Sequence, residues 1–95
     1  MDMQKINQLK VLLDQFDVDR QYQLKIDTTE NAIKERPGDK VFIKFMVGDH
    51  EYGINNIEFC AARALKILSV ISELNKEIMS EHMRAIEELI QDKNK

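Results

Sequence analysis

The carboxy-terminal part of the chain contains no residue that terminates helices, because neither glycine nor proline follows Gly53. The pattern predicts one helix over residues 57–92, with Asn55 or Asn56 as its N-cap and Glu58 in a capping box. At 1.5 Å per residue this helix is roughly 54 Å long, whereas a compact domain of 95 residues is about 32 Å across. We therefore expect the helix to extend beyond the body of the domain.

The apolar residues of this helix form a broad band over residues 57–74 and a narrow stripe with charged flanks beyond them. Such a stripe is typical of helix pairing in a coiled coil, and exposure to water would forgo roughly 1.5 to 3 kcal/mol for each large apolar side chain. Residues 75–92 are thus predicted to be an overhanging oligomerisation helix, with a homodimer favoured by symmetry statistics. The predicted oligomer interface consists of Ile78, Met79, Met83, Ile86, Leu89 and Ile90.

In a second interpretation of the long helix, its apolar stripe is buried within one chain. The helix breaks near Asn75 or Ser80 and folds back as a helical hairpin, which removes the need for a second copy.

The remaining segments predict a small antiparallel sheet. Apolar spacings of three and four indicate a helix over residues 3–16, capped by Asp2, and alternation then predicts a strand over residues 21–27. A short helical turn capped by Thr28 or Thr29 and a turn at residues 36–39 follow. Strands are then predicted over residues 40–47 and 51–54, joined by a hairpin turn at Gly48 and Asp49. The order α-β-β-β-α makes residues 1–95 a single α+β domain with a polar tail over residues 91–95.

Composition excludes several classes of protein. A charged fraction of 33% beside 43% hydrophobic residues indicates a globular chain. A net charge of −3 indicates no general affinity for nucleic acid or an anionic membrane. No apolar run suits a signal peptide or a membrane span, and the lone Cys60, interpreted as a core residue, suits a reducing compartment. We expect a soluble, cytoplasmic protein.

No pattern in the sequence indicates a catalyst, a metal site or a cofactor. His50 lies between two acidic residues at a predicted turn, and His82 has no metal-binding partner four residues away. Ser69 and Ser72 lack a readable nucleophile motif. We expect a chain that is not an enzyme.

The predicted sheet offers a candidate ligand or partner face, because alternation places one set of side chains opposite the core. This face contains Gln23, Lys25, Phe42, Lys44 and Met46. It is interpreted first as a surface covered by the partner subunit or by the first helix. The second interpretation is a binding site for nucleic acid or for an anionic small ligand such as a nucleotide.

These patterns favour a non-catalytic homo-oligomeric binding protein that acts as an inhibitor, adaptor or regulator of a larger protein. Small size, mild acidity and a self-pairing helix are common among accessory proteins of phages and mobile elements, an association rather than a derivation. The alternative function is binding of nucleic acid or an anionic ligand through the sheet face around Lys25, Phe42 and Lys44.

Overall fold

The computed structural model describes residues 2–53 and 58–91. Helix α1 spans Met3–Glu35, strand β1 Lys44–Val47, strand β2 His50–Gly53 and helix α2 Ala61–Ile90. The predicted fold class is confirmed: the chain is a mostly helical α+β protein, in which an N-terminal helix and a long C-terminal helix flank a small antiparallel sheet.

Helix α1 begins where the sequence indicates and ends much later. The Asp2 carboxylate accepts a hydrogen bond from the Lys5 N–H at 2.8 Å, which confirms Asp2 as the N-cap. The helix then continues for 33 residues, so the predicted strand over residues 21–27 is wrong. Tyr22 and Leu24 are exposed on opposite flanks of the helix and Ile26 is half-buried, so the three residues do not share one face as they would in a strand.

The predicted helical turn at residues 28–33 is also part of α1. Thr28 and Thr29 do not cap a new helix there. Their hydroxyl groups donate to the carbonyl oxygens of Leu24 and Lys25, each at 2.8 Å, which is how threonine is accommodated inside a helix.

The two helices form an antiparallel hairpin with a regular seam, defined here as the buried and half-buried positions along each contact line. The order of two contacts shows the antiparallel orientation. Asp19 contacts His82, whereas Gln23, which comes later on α1, contacts Ser72, which comes earlier on α2. Spacings of four and three alternate without interruption on both helices, the heptad repeat of a left-handed coiled coil. The α1 seam is Lys5, Leu9, Leu12, Phe16, Asp19, Gln23, Ile26, Glu30 and Ile33. The α2 seam is Ala61, Leu65, Leu68, Ser72, Asn75, Met79, His82, Ile86 and Leu89, and buried Ala64 with half-buried Ile67 and Ala85 lies beside it on one side.

The segment between the helices forms a turn and a β-hairpin. An ion pair of 2.6 Å between Arg36 and Asp39 closes the turn that follows α1. Strands β1 and β2 pair antiparallel around a two-residue turn in which Gly48 has a φ of 62°, a conformation that glycine adopts without strain. Neither strand approaches α1 or α2 among the residues that the structure describes, so this hairpin projects from the helical body.

The start of α2 differs from the prediction. Its N-cap is Cys60, which is exposed and forms no capping bond through its side chain, so the interpretation of Cys60 as a core residue is wrong. Glu58 instead pairs with Lys40 at 3.0 Å. The predicted caps Asn55 and Asn56, and residues 92–95 of the predicted tail, lie outside the described residues.

Residues 75–91 do not overhang the body, which corrects the expectation from helix length. The chain is not a compact globule, because α1 is itself 33 residues long and runs beside α2. The molecule is correspondingly elongated, with extents of 57 × 29 × 16 Å. The alternative of a break near Asn75 or Ser80 is wrong, because α2 is continuous over Ala61–Ile90; the chain instead reverses between α1 and α2, and this places part of the stripe against α1 of the same chain.

Candidate interaction surfaces

Polar side chains occupy the middle of the helix–helix seam. Nδ1 of His82 lies 2.5 Å from Oδ2 of Asp19, so the imidazole donates a hydrogen bond to the carboxylate across the seam. The Asp19 side chain is only 9% exposed. An ionisable group in such a place is tolerated because it has this partner.

A second polar layer lies next to the first. The Asn75 amide donates to the Asp19 carbonyl oxygen and to Oε1 of Gln23, both at 3.0 Å. The Gln23 amide in turn donates to Oγ of Ser72 at 2.9 Å and to Asp27 at 3.0 Å. Within the described residues no buried side-chain nitrogen or oxygen is left without a partner.

These polar layers determine which residues can face each other. A sliding movement of one helix by a heptad would bring apolar seam residues opposite the amide and carboxylate groups and leave those groups unsatisfied, at a cost of about 1 to 3 kcal/mol each. Buried polar residues in coiled coils fix register in this way. We therefore interpret the layers as determinants of register. No set of three potential metal ligands occurs in residues 2–53 and 58–91.

The structure distributes the predicted oligomer interface over three surfaces. Met79, Ile86 and Leu89 belong to the seam and contact the same chain, and Ile86 is only 5% exposed. Ile78 is exposed on one flank of the hairpin. Helical periodicity places Met83 and Ile90, both exposed, on the opposite flank. These six residues are therefore not one continuous interface.

The predicted ligand face is not assembled either. Gln23 and Lys25 lie on α1 because residues 21–27 are helical, and Gln23 is bonded within the seam. Phe42 and Met46 are exposed near or on β1, whereas Lys44 pairs with Glu51 at 2.9 Å. Since the five side chains share no sheet face, the nucleic-acid or anionic-ligand alternative loses its structural basis.

Exposed apolar side chains lie along one flank of the hairpin, with polar positions such as Gln15 between them. We name these apolar side chains the lateral band, which consists of Val11, Val18, Tyr22, Ile71, Leu74 and Ile78. A shallow hollow of about 400 Å³ lies between Tyr22 on α1 and Ile71, Leu74 and Ile78 on α2. A separate, larger hollow of about 780 Å³ lies toward the open end of the hairpin, where Gln4, Gln8 and Glu88 line it together with Val11 and Ala85.

The β-hairpin presents a second apolar surface. Alternation puts Val47, His50 and Tyr52 on one face, and the rings of His50 and Tyr52 lie 6.3 Å apart. Met46 and Glu51 share the other face with Lys44. Val47 and Tyr52 are exposed because the hairpin stands away from the helices.

Comparison with protein-family models, with curated protein sequences and with solved structures found no match. In the part of the chain that the structure describes, no helix combines the length and apolar character needed to cross a bilayer.

Proposed function

We propose that this chain is a non-catalytic, homo-oligomeric binding protein that presents its β-hairpin to a larger protein as an inhibitor, adaptor or regulator. The observation that supports this function is the position of β1 and β2, which project from the helical hairpin without packing on it. A two-stranded hairpin is only marginally stable alone in water, so one that exposes Val47 and Tyr52 gains from a partner surface.

The projecting sheet also has unpaired edges. Only β1 and β2 form it within the described residues, so each strand leaves one edge without a neighbour. An extended segment of another protein can add to such an edge through backbone hydrogen bonds, with side-chain contacts to Val47 and Tyr52 providing selectivity. The larger partner is therefore proposed to be a protein with an accessible strand or extended loop, encountered in the cytoplasm.

The test is a quantitative pull-down from the native host with the tagged full-length chain. The proposal predicts recovery of a larger protein in fixed proportion, and loss of most of it with the double variant Val47→Ser and Tyr52→Ser. The matched control is Met46→Ser on the opposite face of the hairpin, which should retain the partner. Recovery of no other protein, or equal recovery with the Val47 and Tyr52 variant, would contradict the proposal.

A further inference from the structure

The lateral band repeats with the same period as the internal seam. On α2, Ile67, Ile71, Leu74 and Ile78 are spaced by four, three and four residues, so they form a second heptad stripe beside the seam. A second stripe parallel to the helix axis is the pattern of a helix that has two helical neighbours. Among the residues that the structure describes, α1 is the one helix that packs on α2.

The charge distribution distinguishes the two flanks. Around the band, the positions on the same side of both helices include only three charged residues, Lys25, Glu81 and Glu88. The opposite flank has many charged residues of both signs: Lys10, Asp17, Arg20, Asp27, Lys34, Lys66, Glu73, Lys76 and Glu87. An uncharged apolar strip suits an uncharged apolar partner and offers little to a charged one.

The surface area of the chain indicates how much contact is missing. The chain exposes 7550 Å², whereas a compact monomer of 11.1 kDa exposes about 5,700 Å². The excess of about 1,900 Å² includes the surface of the projecting β-hairpin, and it is more than twice the roughly 800 Å² that each partner buries in a stable interface. The radius of gyration of 18.2 Å, against about 12 Å for a compact chain of this length, shows the same deficit of packing.

We propose that a second copy of this chain docks on the lateral band, so that two helical hairpins form a four-helix bundle. A second copy suits this uncharged apolar surface, because its own α1 and α2 have the same lengths as those of the first copy and its lateral band has the same apolar residues. Two-fold symmetry then buries both bands in one isologous interface. The heptad stripe on α2 sets the bundle geometry, in which helices cross at about 20°.

This dimer is different from the one that the sequence predicts through the far end of α2. Its central residues are Tyr22, Leu74 and Ile78, and only Ile78 belongs to the predicted interface. Met79, Ile86 and Leu89 remain inside each hairpin. The β-hairpins stay outside the bundle, so this interface and the proposed binding of a larger protein can be tested separately.

The first test measures oligomeric state by sedimentation velocity over a range of concentrations. The wild-type chain is expected to be a dimer, and the double variant Leu74→Asp with Ile78→Asp is expected to raise the dissociation constant at least about 100-fold. The matched control places the same charges on the opposite flank, through Leu24→Asp with Met83→Asp, and should leave the dimer intact. A monomeric wild type, or a dimer unaffected by the Leu74 and Ile78 variant, would overturn the proposal.

Circular dichroism at 222 nm is recorded for each variant, because all substituted residues are exposed and should retain helix. The milder pair Leu74→Ala with Ile78→Ala replaces the aspartate variant if helix is lost, and it should still weaken the dimer.

A second measurement does not depend on destabilising the interface. A photo-reactive phenylalanine derivative at Tyr22 should cross-link to residues 71–78 of another copy when isotopically distinct chains are mixed. The same group at Leu24 should give no cross-link between copies. Cross-linking between copies from Leu24 and not from Tyr22 would place the interface on the other flank and refute the proposal.

Discussion

Nδ1 of His82 and Oδ2 of Asp19 lie 2.5 Å apart and join the two helices near the middle of their contact. Removal of the imidazole by His82→Leu leaves the buried carboxylate of Asp19 without its partner. We expect the free energy of unfolding to fall by about 2 to 3 kcal/mol. Urea denaturation followed by circular dichroism measures this change.

The double variant Asp19→Leu with His82→Leu provides the control for that pair. Replacement of both groups removes the unsatisfied carboxylate and adds apolar contact, so the double variant should be more stable than His82→Leu alone. Equal stability of the double variant and the single variant would show that the two residues are not coupled.

Asn75 connects both polar layers, and its loss should be costly although the residue is small. Asn75→Ala removes the hydrogen bonds to the Asp19 carbonyl and to Gln23, and should lower the free energy of unfolding by about 1 to 2 kcal/mol. Lys76→Ala, at the next and exposed position, should change it by less than about 0.5 kcal/mol. Thermal or urea unfolding of the two variants at equal concentration makes the comparison.

Two isoleucines near the end of α2 should behave differently, because only one of them lies in the seam. Ile86 is buried against α1, so Ile86→Ala should cost about 2 to 4 kcal/mol of unfolding free energy. Ile90 is 58% exposed, and Ile90→Ala should cost less than about 1 kcal/mol. Similar losses at both positions in chemical denaturation would indicate that Ile90 is buried in solution as well.

The turn of the β-hairpin depends on Gly48. A side chain at a φ of 62° is strained by roughly 1 to 2 kcal/mol, so Gly48→Ala should weaken the pairing of β1 with β2. Because neither strand packs on the helices, the melting temperature of the helical signal should not change. The control is Gly38→Ala, because Gly38 has no left-handed φ and a Cβ there would meet no other atom. Amide hydrogen exchange of residues 44–53 measures the loss of pairing between β1 and β2.

Local signals were sufficient to predict α2 and the β-hairpin. The absence of glycine and proline after Gly53 predicts a long helix, and the turn at Gly48 and Asp49 predicts the reversal of strand direction; the structure shows both. Period-two alternation predicts a strand over residues 40–47, of which Lys44–Val47 forms β1, and the strand predicted over residues 51–54 overlaps β2, which begins at His50. These features depend on neighbours in sequence, which is why pattern analysis finds them.

The second half of α1 was not predicted because its seam is polar. Asp19, Gln23 and Glu30 occupy positions where an apolar period is expected, so the helical pattern fades after Phe16. The partners of Asp19 and Gln23 on α2 are 49 or more residues away in the sequence, and no local pattern reveals such pairing. The heptad spacing itself continues to Ile33 when polar residues are accepted at seam positions.

The candidate surfaces, like the helices, could be predicted from sequence only where they depend on neighbouring residues. The sequence of α2 alone shows an apolar stripe and predicts a single interface, whereas the position of α1 decides which of its residues are covered within the chain. With α1 in place, Met79 and Ile86 are internal and Ile78 is external. The lateral band includes Tyr22 and Val18 from α1, which a prediction of strand structure at residues 21–27 could not align with α2.

The most direct test of the helical hairpin is an intrachain distance between its open ends. Spin labels on Lys10→Cys and Glu87→Cys, in a Cys60→Ser background diluted with unlabelled protein, report only pairs within one chain. Helix axes 8 to 10 Å apart predict a label separation below about 30 Å in double electron–electron resonance. A distribution centred beyond about 45 Å, the length of α2 extended away from α1, would contradict the hairpin.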